Sequence, residues 1–123
     1  MKTLQALAAL SALSQETRLA IYRLLVEHGQ QGLAAGTIAE RLALPAATLS
    51  FHLKELSAAG LVVARQDGRF IWYRADFGAV TDLIAYITEN CCRSSSTCDP
   101  RCVPTTACRP TARKQSATKR RAT

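Results

Sequence analysis

The segment from Pro45 to Ala75 constrains the fold more than any other part of the chain. Proline is favoured at a helix start, where its missing N–H costs nothing, and Gly60 is a typical helix end. Three leucines between them recur at the spacing of one helical face: Leu49, Leu53 and Leu56. Alternating apolar residues then flank Asp67-Gly68, a favoured two-residue turn when both positions need positive φ. The sequence therefore predicts a helix followed directly by a β-hairpin of residues 61–75.

The residues before this segment predict three more helices. The first covers Thr3–Leu13 and carries a stripe of leucines that needs a partner: Leu4, Leu7, Leu10 and Leu13. Ser14 is predicted to cap a second helix, which has Glu16 in its first turn and ends at Gly29. Its buried face is predicted to hold Ile21, Leu24 and Leu25. A loop of residues 29–36 then leads to a short helix over residues 37–43.

A last helix is predicted near residues 78–90, with one apolar face of Val80, Leu83, Ile84 and Ile87. Helix, short turn, helix and hairpin in this order are typical of a winged helix-turn-helix. The expected fold class is therefore mainly α with a β-hairpin wing (α+β). The helix-turn-helix would be residues 37–43 and 45–59, and the wing residues 61–75.

A winged helix-turn-helix predicts double-stranded DNA as the partner, because the outer face of its second helix can enter the major groove. With the leucines inward, the outward positions are Ala46, Ala47, Ser50, Phe51 and Lys54, flanked by Thr48. Ser50 can hydrogen-bond a base edge, Lys54 can reach a phosphate, and Ala47 or Phe51 can contact a thymine methyl. In the wing, Arg65 and Arg69 are the candidate DNA contacts. His52 is expected to be a half-buried packing residue.

The charge of the chain is concentrated at its carboxyl end. Residues 1–90 hold eight Lys/Arg and eight Asp/Glu, whereas residues 91–123 hold eight Lys/Arg and only Asp99, which gives the net charge of +7. Because the tail is rich in Ser, Thr, Pro and Arg, it is expected to be mostly disordered. The predicted division is a DNA-binding and dimerisation domain of residues 1–92 and a basic tail of residues 93–123.

All five cysteines lie in this last third, at Cys91, Cys92, Cys98, Cys102 and Cys108. Adjacent cysteines do not easily close a normal disulfide, but each can give a sulfur to one ion. An odd number of cysteines also argues against a closed disulfide framework, and reduced thiols suit a cytoplasmic protein. No apolar run approaches the length needed to span a bilayer, so no membrane partner is expected. The cysteines predict a site for a soft ion.

The sequence resembles the ArsR/SmtB family over residues 3–90. The resemblance lies in residues 48–56 (TLSFHLKEL), residues 59–62 (AGLV), the hairpin residues 68–73 (GRFIWY), and the helix entry SQETRL at residues 14–19. It implies a homodimeric winged-helix repressor, paired through its first and last helices. Such a repressor leaves its operator when it binds a metal or metalloid ion.

The resemblance also implies where an ion could bind. The family's Cys-x-Cys site before the recognition helix is absent, because residues 33–38 contain no cysteine. The family's site on the last helix needs histidine, and residues 78–90 offer only Asp82 and Glu89. The remaining arrangement resembles arsenite-responsive members with three carboxyl-terminal cysteines. As(III) or Sb(III) bound by Cys91, Cys92 and Cys98 is therefore expected to be the inducer.

Two alternatives stay open from the sequence. A four-thiolate zinc or cadmium site could add Cys102, because structural zinc prefers four ligands. The chain could instead be a thiol-redox-responsive protein whose basic tail binds nucleic acid without sequence preference. An enzyme is not expected, because the chain has only two histidines, both inside predicted helices, and no nucleophile with an adjacent base.

Overall fold

The computed structural model describes residues 1–95, 97 and 99–101. Along these residues the elements are α1 (Thr3–Leu13), α2 (Glu16–Glu27), β1 (Leu33–Ala34), α3 (Ala35–Leu42), α4 (Ala46–Ala58), β2 (Val62–Asp67), β3 (Phe70–Ala75) and α5 (Phe77–Ile87). The strands form one antiparallel sheet in the order β1-β3-β2. This architecture confirms the predicted winged helix-turn-helix.

Residues 1–81 form one compact unit, and a second unit begins at Asp82. The first unit has its own apolar core, whose fully buried large side chains are Ile21, Leu25, Ile38, Leu53, Leu56 and Leu61. The predicted boundary between residues 92 and 93 stays a prediction. No helix in the described part of the chain is both long and apolar enough to cross a bilayer.

Helix α1 has the predicted bounds, but alanines rather than leucines face the domain. Ala6, Ala9 and Ala12 are buried. Leu4 is 80% exposed, Leu7 55% and Leu10 43%. The alanines let α1 lie close to its neighbours, and the longer side chains are left on the opposite face. The leucine stripe is therefore available to another molecule, as its sequence pattern predicts.

Helix α2 is capped by Gln15, not by Ser14. The Gln15 side chain accepts a hydrogen bond from the Arg18 backbone N–H at 2.9 Å, whereas the Ser14 hydroxyl donates to the Ser11 carbonyl at the end of α1. Ser14 thus ends one helix instead of starting the next. Ile21 and Leu25 are buried as predicted, and Leu24 is half-buried.

The predicted loop of residues 29–36 contains a short strand. Leu33 pairs with Tyr73 and Ala34 with Trp72, so β1 is the third strand of the sheet. Helix α3 then begins at Ala35, two residues before the predicted start. A two-residue strand carries no detectable alternation of its own. It forms because the free edge of β3 supplies its hydrogen-bond partners.

Helix α4 follows the predicted pattern closely. Pro45 occupies its N-cap, and Leu49, Leu53 and Leu56 are all buried. The hairpin that follows turns one residue later than predicted, because Asp67 pairs with Phe70. In this turn only Gly68 has a positive φ, +65°. A hairpin turn with glycine at its first central position requires a positive φ at that residue.

Helix α5 begins after Asp76, whose carboxylate accepts a hydrogen bond from the Ala79 N–H at 3.2 Å. It ends at Ile87, three residues before the predicted end. Leu83 is buried, whereas Ile84 is 40% and Ile87 58% exposed. Asn90 and Cys92 have positive φ values of 65° and 61°, which a continuing helix does not allow. The adjacent cysteines therefore lie in turns beyond the helix rather than on its last turn.

Candidate nucleic-acid interface

The outer face of α4 carries every candidate contact that the sequence placed there. All six side chains are exposed: Ala46, Ala47, Thr48, Ser50, Phe51 and Lys54. Their exposure follows from the helical repeat, because the buried leucines occupy the opposite face. Most of these six side chains are small and uncharged, and Lys54 is the only basic one among them. A surface of this kind can approach base edges closely and can place one cation near a phosphate.

Two aromatic rings lie side by side on α4. Phe51 is 56% exposed, and its ring meets the ring of His52 edge-on with centroids 5.4 Å apart. His52 is half-buried, as the sequence predicts, and its Nδ1 lies 3.3 Å from the Arg18 guanidinium. The His52 ring, which contacts Phe51, is thus held by a polar contact to α2. Sequence periodicity does not reveal this contact, because Arg18 is 34 residues away.

The wing places its two candidate arginines differently. Arg69 is exposed in the two-residue turn between β2 and β3. The Arg65 guanidinium lies 5.6 Å from the Trp72 ring centroid, a cation–π distance that holds its side chain along the hairpin. Phe70, next to the turn, is 62% exposed. The sequence pattern does not predict that Phe70 lies at the hairpin tip. An aromatic residue beside a glycine turn is the sequence signal that could indicate this position.

A small apolar cavity of about 200 Å³ lies between α3, α4 and β3. Its lining includes Ala39, Leu53 and Tyr73, and Ser50 is also part of it. Ile71 contributes from the wing, which places the inner face of the hairpin against the recognition helix. This cavity is not predictable from the sequence. It follows from the small side chains on the facing sides of α3 and α4.

The structure brings two of the three candidate ion ligands together. The sulfur atoms of Cys91 and Cys92 are 3.6 Å apart, too far for a disulfide but within hydrogen-bond distance for thiols. Cys98, the third candidate, lies outside the described residues, as do Cys102 and Cys108. Within the part of the chain that the structure describes, no three potential metal ligands cluster together.

The groups around Cys91 favour its protonated thiol over the thiolate. The hydrogen bond with Cys92 raises the pKa of the Cys91 thiol, and burial and the carboxylate of Asp99 act in the same direction. The Arg93 guanidinium instead donates to the Asn90 side-chain oxygen at 2.9 Å. Ion binding by Cys91 must therefore displace a proton held more firmly than usual.

Comparison with known proteins places these features in a family. A family model described as a helix-turn-helix domain matches residues 13–65. An HTH-type transcriptional regulator of Methanocaldococcus jannaschii is 35% identical over 78 residues, which are 63% of this chain and 85% of that protein. An ArsR-like transcriptional regulator from Rhodococcus superposes with a TM-score of 0.60 at 32% identity, over 68% of this chain and 76% of the other. The chain belongs to the ArsR family of helix-turn-helix transcriptional regulators.

Other structural matches agree with this assignment. The homodimeric winged helix-turn-helix domain of a possible ArsR-family regulator from Mycobacterium bovis has a TM-score of 0.57 at 28% identity and covers 68% of this chain and 75% of that one. A possible transcriptional regulator for arsenical resistance has a TM-score of 0.56 at 33% identity and covers 64% of this chain and 79% of that one. The matched proteins are transcriptional regulators, which confirms the prediction of a non-enzymatic protein.

The match to another relative is partial. An HTH-type transcriptional regulator of Bacillus subtilis is 43% identical over 58 residues, which are 47% of this chain. The matched segment spans 57% of the length of that Bacillus protein. The similarity to that protein therefore covers about half of each chain.

Proposed function

We propose that the chain is a cytoplasmic, homodimeric transcriptional repressor that leaves its operator when As(III) or Sb(III) binds the thiolates of Cys91, Cys92 and Cys98. The proposal has a DNA-binding part and an ion-sensing part. The observation that carries the first is the exposed outer face of α4 beside the wing. The second rests on the 3.6 Å separation of the Cys91 and Cys92 sulfurs.

The DNA-binding part is supported by what the domain leaves exposed. The outward residues of α4 from Ala46 to Lys54 can contact base edges and phosphates, and Arg69 stands at the tip of the wing. The domain also exposes leucines on α1 and isoleucines on α5, which are costly to leave in water. A second copy of the chain would cover them, and one structural neighbour in the ArsR family is a homodimer.

Sulfur geometry supports the ion-sensing part. With metal–sulfur bonds of about 2.3 Å, as in zinc thiolates, and bond angles between about 90° and 110°, two sulfurs on one ion lie roughly 3.3–3.8 Å apart. The observed 3.6 Å falls within this range, so Cys91 and Cys92 could bind one ion without large rearrangement. A third thiolate from Cys98 would complete the three-sulfur set that thiophilic ions favour. A neighbour described as a possible regulator for arsenical resistance is consistent with this chemistry.

Both cysteines lie in turns after α5, and this affects how binding could release DNA. The Cys91 N–H donates to the Thr88 carbonyl and the Ser95 N–H to the Cys92 carbonyl, so short-range turns hold this segment. Drawing Cys98 toward the pair would reorganise those turns rather than unwind the helix at Cys91. Since α5 is the proposed dimer helix, a change at its end would alter the spacing of the two recognition helices. The DNA-bound form must then bind the ion less well than the free form.

The test is an operator-release titration with the reduced full-length protein. We expect arsenite and antimonite to release a promoter fragment, and we expect the combined Cys91→Ser, Cys92→Ser and Cys98→Ser variant to stay bound. Zinc, cadmium and a disulfide-forming oxidant are added in parallel. Release by zinc or cadmium that depends on Cys102 would instead favour the four-thiolate site, and release by oxidant alone would favour a redox sensor.

The matched control is Cys108→Ser, which removes a thiol that the proposal does not use. It should release DNA at the same arsenite concentration as the wild type. Arsenite release that survives the triple substitution would contradict the ion site but leave the DNA-binding part intact. Absence of binding to any duplex would contradict the DNA-binding part.

A further inference from the structure

A polar bridge joins three helices beneath the recognition helix. Arg18, half-buried on α2, donates from Nε to the Ala12 carbonyl of α1 at 2.8 Å. Its other contact, from Nη1, reaches His52 Nδ1 of α4 at 3.3 Å. The Arg18 backbone N–H is itself held by the Gln15 side chain. One guanidinium thus connects the end of the leucine-bearing helix with the middle of the DNA-facing helix.

Each end of the bridge satisfies a specific chemical need. Ala12 is in the last turn of α1, where a helix carbonyl has no partner of its own and the dipole favours a positive charge. Arginine always donates, so His52 Nδ1 must accept. In this arrangement the guanidinium holds the ring in position and favours the tautomer whose Nδ1 can accept.

Apolar packing between α1 and α4 is weak at this place. An open cleft of about 240 Å³ lies between the helices, and its lining is mostly small side chains: Ala8, Ser11, Ala12, Ala58 and Ala59. Arg18 and Glu55 complete the lining. Since few large side chains line this cleft, the guanidinium bridge adds a polar constraint on the relative orientation of the two helices.

The bridge continues to the DNA-facing surface. The His52 ring that accepts from Arg18 also contacts the exposed Phe51 ring, with the planes inclined by 65°. We propose that Arg18 and His52 are a positioning pair, which sets the orientation of α4 relative to α1 and holds Phe51 in place for operator binding. This inference rests on the proposed DNA-binding function. Neither residue of the pair needs to contact DNA.

Substitutions at His52 test the pair directly. His52→Leu keeps a side chain of similar size but removes the acceptor, whereas His52→Gln keeps an acceptor oxygen. We expect His52→Leu to weaken operator binding by about tenfold, the order expected for a hydrogen bond to a charged group, and His52→Gln to restore most of the affinity. Binding is measured by fluorescence anisotropy at a temperature where each variant is folded and dimeric. Equal affinity of His52→Leu and wild type would overturn the proposal.

The chain offers a matched control in its other histidine. His28 is also half-buried, but its Nδ1 contacts the Leu24 carbonyl of its own helix. His28→Leu should therefore leave operator affinity unchanged, and a loss equal to that of His52→Leu would indicate a general effect of removing a histidine, against the proposal.

A double-substitution cycle separates positioning from general stability. If the two residues act as a pair, Arg18→Met combined with His52→Leu should bind about as tightly as either single variant. Additive losses of affinity would overturn the proposal that the two residues act as a pair. If Arg18→Met does not fold, Arg18→Lys takes its place. A wild-type protein that binds no duplex would refute the proposed function. Operator affinity that neither substitution changes would refute only this inference.

Discussion

Gly32 should be the least replaceable glycine of the domain, because its backbone lies directly against β3. It has a φ of +72°, and an added Cβ would overlap the Tyr73 carbonyl oxygen while lying 2.8 Å from its carbon and 3.0 Å from the Arg74 Cβ. The next residues, Leu33 and Ala34, pair with the same stretch of β3. The chain therefore cannot move away from Tyr73 without separating β1 from the sheet.

The cost of Gly32→Ala follows from these two features. A non-glycine residue in the left-handed region costs about 1–2 kcal/mol. Separating β1 would also remove about two hydrogen bonds, each worth about 1 kcal/mol. We therefore expect the free energy of unfolding to fall by about 3–4 kcal/mol, a large fraction of the total for a small domain. The melting temperature should fall by more than about 10 °C.

Two other glycines provide controls for the separate contributions. Gly29 has a φ of +59° but nothing within 4 Å of an added Cβ, so Gly29→Ala should cost only the conformational part, about 1 kcal/mol. Gly36 is helical and equally open, so Gly36→Ala should be neutral or stabilise by about 0.5 kcal/mol. Urea unfolding at one protein concentration measures all three. A Gly32→Ala variant no less stable than Gly29→Ala would refute the reasoning.

Three further outcomes follow from the structure. Leu7→Asp should shift the protein toward monomer in analytical ultracentrifugation with little change in monomer folding, because this side chain is 55% exposed; an unchanged dimer would exclude α1 from the interface. Lys54→Ala should reduce the slope of log affinity against log salt by about 2 for the dimer, since each protomer loses one phosphate contact. An unchanged slope would show that Lys54 does not contact a phosphate. The pKa of Cys91 is raised, so its thiol stays protonated to higher pH than an ordinary thiol. Alkylation of Cys91, followed by mass spectrometry with Cys92 intact, should therefore accelerate only at a pH above that at which an ordinary thiol reacts. Fast labelling of Cys91 at neutral pH would contradict this.

The sequence predicts best where one residue type dominates one face. The stripe of Leu49, Leu53 and Leu56 placed α4 and its outer surface correctly, because burial of large apolar residues decides helix orientation there. The same reasoning identified the leucines of α1 as a face that needs a partner. It could not identify Ala6 and Ala9 as the inner face, since alanine is common on both sides of a helix.

Features that depend on distant residues were not predicted from sequence. Strand β1 forms against the edge of β3, about 40 residues later in the chain, and its two residues carry no pattern. The hairpin turn shifted by one residue because Gly68 alone takes the positive φ, so Asp67 stays in the strand. The contact from Arg18 to His52 likewise needs the folded domain. For β1 and for the Arg18 contact, a tertiary partner absent from the local sequence decides the geometry.

The exposed leucines allow an estimate of how strong a dimer α1 alone could make. Leu4, Leu7 and Leu10 together expose the equivalent of slightly less than two leucine side chains, and burying each full side chain contributes about 1.5–3 kcal/mol. Two protomers would then gain roughly 5–11 kcal/mol, from which association costs of several kcal/mol must be subtracted. The remainder corresponds to a dimer weaker than about micromolar.

A tight dimer therefore needs a second surface, and Ile84 and Ile87 of α5 are exposed and apolar. If α5 supplies that surface, an ion that reorganises the segment after Ile87 would act on a dimer whose free energy of association is small. A modest change there would then suffice to release the operator.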